Sequence, residues 1–487
     1  MIEPIGIFVV LLGLYCLTRG YGTTVVVFVV LTLLGSAAAL TLGGSSIQPS
    51  HLFLLFLIIS LFRNKDLPEI AFAEFRLGRP AFWLAGLVCY GAVSAYFSPR
   101  LFEGMSDIIP LGSSQYPSTG GTVPLGPVSS NLTQTIYVTA DLFCFVAITT
   151  ICATENGFRA VVQGLLAYAV FNIFFAFLDL ATGATGTQDL LQFMRNAQYT
   201  FHDSDMVNGM KRIVGSWPEA SAFAGMTLGS FGFTATLWIC GRGTGWTALV
   251  SLVSLALIIM STSSTGLVAT PICFVLLYLT ALMRCGVNAG GRNSTAVVLL
   301  APPLVLALVL FVFLKEDLFN WIYDYVDMLV FSKSTSSSAL ERGSWNVAAW
   351  QNFLDSFGLG VGLGTARTSS FPLALLSNVG IPGAVLFSLF ALTALKPKIQ
   401  MRTFRSDVRV AACNGALFLL VGSLVAGPTV DMGLLFFVFC GLCASRAYAP
   451  AARVPFMPLK GGQSIVTPLA ATSLSFKERA DIRGDRH

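Results

Sequence analysis

Charge is what this sequence has least of. Only 11% of its 487 residues are Asp, Glu, Lys or Arg, while 55% are hydrophobic; a soluble domain carries about 25% charged residues. With a mean hydropathy of +0.75, that shortage excludes a water-soluble globule. The net charge of +5 does not point to a partner, because the placement of the charges carries the information, and nothing here indicates nucleic acid. Histidine is nearly absent: only His51, His202 and His487 occur. No metal cluster is apparent, Asp203 and Asp205 beside His202 form at most a sparse calcium pair, and no cofactor is expected. The ten cysteines fall almost entirely in apolar runs, where a free thiol behaves as a small hydrophobe. Cys440 and Cys443 make a CxxC inside one apolar helix and read as packing. The start carries Glu3 and no basic stretch, so a cleaved signal peptide is not expected. No internal repeat is visible.

What the sequence does have is apolar runs. They lie at about 5–18, 25–42, 50–62, 81–97, 135–152, 159–180, 218–240, 246–261, 265–283, 295–314, 371–395, 408–426 and 430–448. Crossing a bilayer takes about 20 helical residues. The expected fold is therefore an all-α polytopic membrane protein of about 12–13 transmembrane helices, the first and third runs being short enough to be tilted, re-entrant or interfacial. With the C-terminal tail on the cytoplasmic side, 21 of the 29 Lys and Arg residues fall inside and 8 outside, the bias that orients membrane proteins. This organises the chain as a helical region 1–314 with outer loops 98–134 and 181–217, a large outer loop 315–370, C-terminal helices 371–448, and a tail 449–487 without helical pattern. The sequon Asn131-Leu-Thr133 abuts a membrane helix and is read as chance.

Two outer stretches carry the chemistry. Lys211-Arg212-Ile-Val-Gly215-Ser-Trp217-Pro218-Glu219 leads into a helix, where Pro218 and Glu219 suit the first turn on structural grounds alone. The functional alternative sets Lys211 and Arg212 over the membrane beside a carboxylate. The large loop opens on an amphipathic pattern, Leu318, Trp321, Ile322, Tyr325, Val326, Leu329 and Val330 against Asp317, Asp324 and Asp327, which suits an interfacial helix. Ser338 and Glu341 form a capping-box pattern. Arg342 follows in the first turn, where free amides attract anions and a guanidinium adds a fork for phosphate; the plain alternative is a snorkelling arginine. Gly358, Gly360, Gly362 and Gly364 alternate, but no Lys-Ser/Thr follows, so this is not a nucleotide loop. Glycines of this kind let backbone approach a ligand. Asp141, Asp179, Glu219 and Asp431 lie at or near outer helix ends, and carboxylates at membrane depth usually face a cavity or a partner.

These stretches resemble the O-antigen polymerase and O-antigen ligase family of bacterial envelope proteins. The resemblance rests on Arg212-Ile-Val-Gly215-Ser-Trp-Pro218-Glu-Ala-Ser-Ala-Phe-Ala224, on Arg342-Gly-Ser-Trp-Asn-Val-Ala-Ala-Trp350 through Gly358 to Gly364, and on Gly380-Ile-Pro-Gly383, about 60 residues in all. It implies glycosyl transfer from an undecaprenyl-diphosphate-linked oligosaccharide at the periplasmic face of an inner membrane, without nucleotide or metal. The implied partners are that lipid-linked substrate, the bilayer, and chain-length regulators or polysaccharide export proteins. Ligases of the family carry a histidine followed by Asn shortly after the glycine turn; here Thr368-Ser-Ser-Phe-Pro372 has none, and Asn378 replaces an acidic residue. That favours a polymerase of surface-polysaccharide repeat units, with a ligase acting on lipid A core as the alternative and a lipid-linked oligosaccharide transporter as the competing class. The expected roles are Arg342 and Arg212 on the diphosphate, supported by Lys211 and Arg367. Glu219 is the first choice of base, ahead of Asp141 and Asp431, and Trp345 with Gly360 and Gly362 shapes the sugar site.

Overall fold

The chain is an all-α polytopic membrane protein, and the computed structural model describes residues 1–42, 45–111, 121–197, 206–207, 210–287, 289–327, 337–397 and 402–447. His202, Asp203, Asp205, Leu329, Val330 and the tail 449–487 lie outside the described residues. In chain order the helices are α1 (Pro4–Arg19), α2 (Tyr21–Leu31), α3 (Pro49–Phe62), α4 (Leu67–Ala73), α5 (Pro80–Leu101), α6 (Ser130–Ile151), α7 (Glu155–Thr185) and α8 (Ala220–Ile239). There follow α9 (Thr244–Met260), α10 (Ser264–Gly286), α11 (Arg292–Leu314), α12 (Glu316–Val326), α13 (Ser337–Asp355), α14 (Phe371–Ala394), α15 (Phe404–Val425) and α16 (Leu434–Ala444). Eight of them, α5–α8, α10, α11, α14 and α15, are long and apolar enough to cross a membrane. Together with the five shorter apolar helices α1, α2, α3, α9 and α16, they account for every apolar run.

Sequence-distant contacts sort the helix ends into two sets. At one end Asn131 reaches Leu363, Thr368 reaches Pro428, Arg212 reaches Thr262 and Ser216 reaches Leu33. At the other, Arg63 reaches Leu17, Arg405 reaches Thr154, Arg242 reaches Asp407 and Arg409 reaches Cys443. Long connections belong to the first, the loop end; short arginine-bearing ones belong to the second, the arginine end. Between the ends, side chains hold helices together where apolar burial drives little association. Asn172 Nδ2 donates to Thr227 Oγ1 at 2.9 Å, tying α7 to α8, and Asn414 Nδ2 donates to Thr236 Oγ1 at 2.8 Å and Thr280 Oγ1 at 3.0 Å, tying α15 to α8 and α10. Gly229 and Gly232 let α8 close on Leu419 and Phe418 of α15.

Helix length departs from expectation in two places. The second run was expected to be helical to residue 42, yet α2 stops at Leu31 after 11 residues; α16 also has only 11. At 1.5 Å per residue each is about 16 Å long, against a hydrocarbon core of about 30 Å. Irregular backbone at membrane depth persists only where protein covers it. After α2 it is covered: Ser36 N donates to Ser216 O at 3.3 Å, and Asn196 exchanges two hydrogen bonds with the Ala38 backbone. The strand pair β1 (Leu40–Leu42) and β2 (Ser45–Ile47) then returns the chain to α3.

The glycine turn is also a packing device. Gly360 and Gly364 have φ of 85° and 80°, the left-handed region that a side chain disfavours. A Cβ on Gly360 would stand 2.6 Å from the Asn378 carbonyl oxygen, and one on Gly364 would stand 2.5 Å from that of Ser130. The backbone thus approaches α6 and α14, and at Gly362 it approaches Pro99 of α5. Gly360 and Gly362, expected to shape the sugar site, are buried and pack against α14 and α5. Asn131, the sequon residue, is buried and donates to Leu363 O and Thr365 Oγ1, each at 2.8 Å. Asn378 receives Ala366 N at 3.1 Å and donates to Ala366 O at 3.0 Å. Gly380 interrupts α14 at φ 62°, freeing Ile381 N to bind Gly358 O at 2.8 Å.

Candidate functional site

Glu219 is the residue before α8, in extended backbone with φ −152°. Its side chain does not cap that helix. Instead it accepts a hydrogen bond from Ser221 Oγ and faces Arg342 of α13, whose Nη2 lies 3.5 Å from Glu219 Oε2. Both side chains are about one third exposed, at 35% and 36%. An ion pair that open contributes about 0–1 kcal/mol to stability, so stability alone gives little reason for it. α13 begins at Ser337, so Ser338 is already helical and does not precede the helix as its cap. Arg342 accordingly sits in the second turn, beyond the free amides that the sequence suggested would assist it.

Arg367, on the loop after the glycine turn, completes the group. Its guanidinium carbon stands 3.8 Å above the Trp345 ring, a cation–π arrangement. Burial pushes its pKa below the usual arginine value; Glu341 and Glu219 act against that, and Arg342 adds to it. Two arginines and two carboxylates from three segments thus share one neighbourhood. Trp345 is buried, and among the described residues its indole Nε1 has no hydrogen-bond acceptor. Glu341, which the sequence suggested was a helix cap, belongs to this neighbourhood; only its position beside Arg342 pointed there.

Lys211 does not face this group. Its Nζ donates to Asp179 Oδ1 at 2.7 Å and to Asp179 O at 2.9 Å. Arg195 Nη2 meets the same Oδ1 at 2.7 Å and Gly215 O at 2.8 Å. Asp179 Oδ2 receives the amides of Val214 and Gly215 at 3.0 and 3.1 Å. This buried knot fixes the 211–217 segment to α7, so Lys211, expected at the substrate, here holds the segment. Arg212, beside it, turns to the α9–α10 connection, its Nη2 3.5 Å from Thr262 O. Thr262 has φ 50°, a strained conformation for a β-branched residue. Gly266 packs on Ala224, just inside Glu219, so Arg212 borders the same end of α8.

The structure does not bring Asp141 to Glu219 and the arginines. Asp141 was expected a turn or two into its helix; α6 starts at Ser130, which places it three turns in, fully buried. Among the described residues neither of its carboxylate oxygens has a hydrogen-bond donor. The Asp431 carboxyl is its electrostatic neighbour. Asp431 also receives Gly433 N at 2.6 Å. The His51 ring feels the charge of Asp431 and stands 4.6 Å from the Tyr137 ring, and neither of its nitrogens has a partner among the described residues. Among the described residues this is a second polar group, set deeper at the loop end because α16 is short. His51 was missed in the sequence, where a lone histidine in an apolar run gives no signal.

No family model matches this chain, and no curated protein matches it.

Proposed function

We propose that this protein is a membrane glycosyltransferase that polymerises undecaprenyl-diphosphate-linked oligosaccharide repeat units at the outer face of a bacterial inner membrane. The observation that carries this reading is the meeting of Arg342, Glu219 and Arg367 at the loop end, about one third exposed at the Arg342–Glu219 pair, over a bundle of membrane helices. A lipid-linked diphosphate presents its charge at that depth. Guanidinium forks match phosphate oxygens, and stabilising the leaving diphosphate is the largest demand of the reaction. Arg342 and Arg212 are assigned to the diphosphate, with Arg367 held ready on Trp345.

In the proposed step an acceptor sugar hydroxyl attacks the anomeric carbon of the donor. The bond from that carbon to the diphosphate oxygen breaks, and undecaprenyl diphosphate leaves with the electron pair. Glu219 takes the hydroxyl proton, its carboxylate oriented by Ser221. No role is assigned to Lys211 beyond holding the segment. The position where ligases of the resembling family carry histidine is occupied by Thr368-Ser-Ser, and Thr368 is buried against Ser370 O and Pro428 O; Asn378 is engaged in the glycine turn. Both features favour polymerase over ligase. A deletion strain tests the reading. Lipopolysaccharide or another surface glycan bearing single repeat units is the expected outcome, whereas long chains accumulating on the carrier lipid would identify a ligase.

A further inference from the structure

The arginine end holds a second cationic cluster that the proposed chemistry does not use. Asp407, in the first turn of α15, is fully buried between two arginines. Arg242 Nε and Nη2 both stand 2.8 Å from its Oδ2, and Arg284 Nη2 stands 2.6 Å from its Oδ1. A third arginine, Arg402, brings Nη2 to 3.6 Å from where a Gly241 Cβ would be and 2.8 Å from where a Gly291 Cβ would be. It therefore lies between the α8–α9 turn and the start of α11. The charges of Arg284, Asp407, Arg242 and Arg402 all act on the nearby Cys240 thiol. Two guanidiniums thus share one carboxylate with a third, Arg402, at the adjoining turns, and the exposed Arg292 adjoins Gly291.

Arg284 is the decisive member. It is 1% exposed. One nitrogen is satisfied by Asp407 and by Ala289 O at 3.1 Å, but Nε and Nη1 have no acceptor among the described residues. Buried donors of a charged group left unpaired are costly, and with positive charge in excess an anion is the acceptor that best offsets that cost. We infer that this cluster is a phosphate-binding site, taking either the headgroup of an anionic lipid or free phosphate, with Arg402 and Arg242 as its open face and Arg284 behind them. Guanidinium forks suit phosphate oxygens, and basic pockets between membrane helices take anionic headgroups. The inference is independent of the proposed chemistry at the loop end.

The test uses the full chain in a neutral detergent. It is titrated with phosphatidylglycerol, phosphatidylcholine or inorganic phosphate, with bound lipid read by native mass spectrometry and stability by thermal unfolding. Binding and a raised melting temperature with phosphatidylglycerol alone identify a lipid headgroup, and the same shift with inorganic phosphate identifies free phosphate; either supports the site. Arg402→Gln leaves the unliganded melting temperature unchanged and weakens binding about tenfold, the loss of one charge-assisted hydrogen bond, and Arg292→Gln added to it weakens binding further. Equal responses to phosphatidylglycerol and phosphatidylcholine with none to phosphate, or undiminished binding by the double variant, overturns it.

Discussion

Arg342 Nη2 lies 3.5 Å from Glu219 Oε2, joining α13 to the start of α8 across a part-exposed gap. Because an open pair of this kind contributes at most about 1 kcal/mol, stability and activity should separate. Arg342→Ala is expected to melt within about a degree or two of the parent. Losing a charged hydrogen bond of about 1.5–3 kcal/mol, it should also lose at least about tenfold in polymer formation. Arg342→Lys should recover only part, since an ammonium lacks the fork. Near-normal polymer from Arg342→Ala would remove the residue from the site.

Asp179 behaves in the opposite way. It is fully buried and holds Lys211, Arg195 and two backbone amides. Removing one member of such a knot strands the others and costs about 3–5 kcal/mol. Asp179→Asn should therefore lower the melting temperature and the yield of folded protein, with activity falling in step. Unchanged melting would show that the 211–217 segment is held by something else.

The glycine turn offers a paired comparison. Gly360→Ala places a methyl 2.6 Å from backbone at φ 85°, and strain alone costs about 1–3 kcal/mol. Gly343, inside α13, has nothing within 4 Å of a Cβ, and alanine there gains about 0.5–1 kcal/mol of helix preference. Thermal unfolding should show the first variant destabilised and the second equal to the parent or better.

Asp141 is a donorless buried carboxyl beside Asp431. Asp141→Asn supplies a donor toward Asp431 and relieves like charge, so it should raise stability by about 1 kcal/mol or more. If Asp141 only packs, polymer formation is unchanged in this variant. Loss of polymer at raised stability would give Asp141 a part in proton movement.

How much of this could be read in advance depends on the kind of signal. Apolar runs fixed where helices form, because hydrocarbon permits little else. They did not show that α2 would stop at Leu31, since the apolar run continues through Leu33, Leu34 and residues 37–40; the break follows from Gly35 admitting the Trp217 ring and from Ser216 and Asn196 covering the backbone. The pairing of Arg342 with Glu219 was within reach, as both lay in outer stretches rich in function-bearing residues. That Lys211 and Arg212, adjacent in sequence, part company toward Asp179 and Thr262 could not be seen, because side-chain direction is set by tertiary neighbours. Alternating glycines were visible as a tight turn, but not whether ligand or helix would fill the space beside them.

The measurement that bears most directly on the account is polymerisation in vitro. Purified protein is given the host's undecaprenyl-diphosphate repeat unit, with no nucleotide and no added metal, and the products are resolved by length. A ladder of lengths that collapses in the Arg342→Ala variant is the predicted result. Bound substrate with no transfer, either alone or after addition of a lipid acceptor, would contradict it and leave the loop end as the binding site of a transporter.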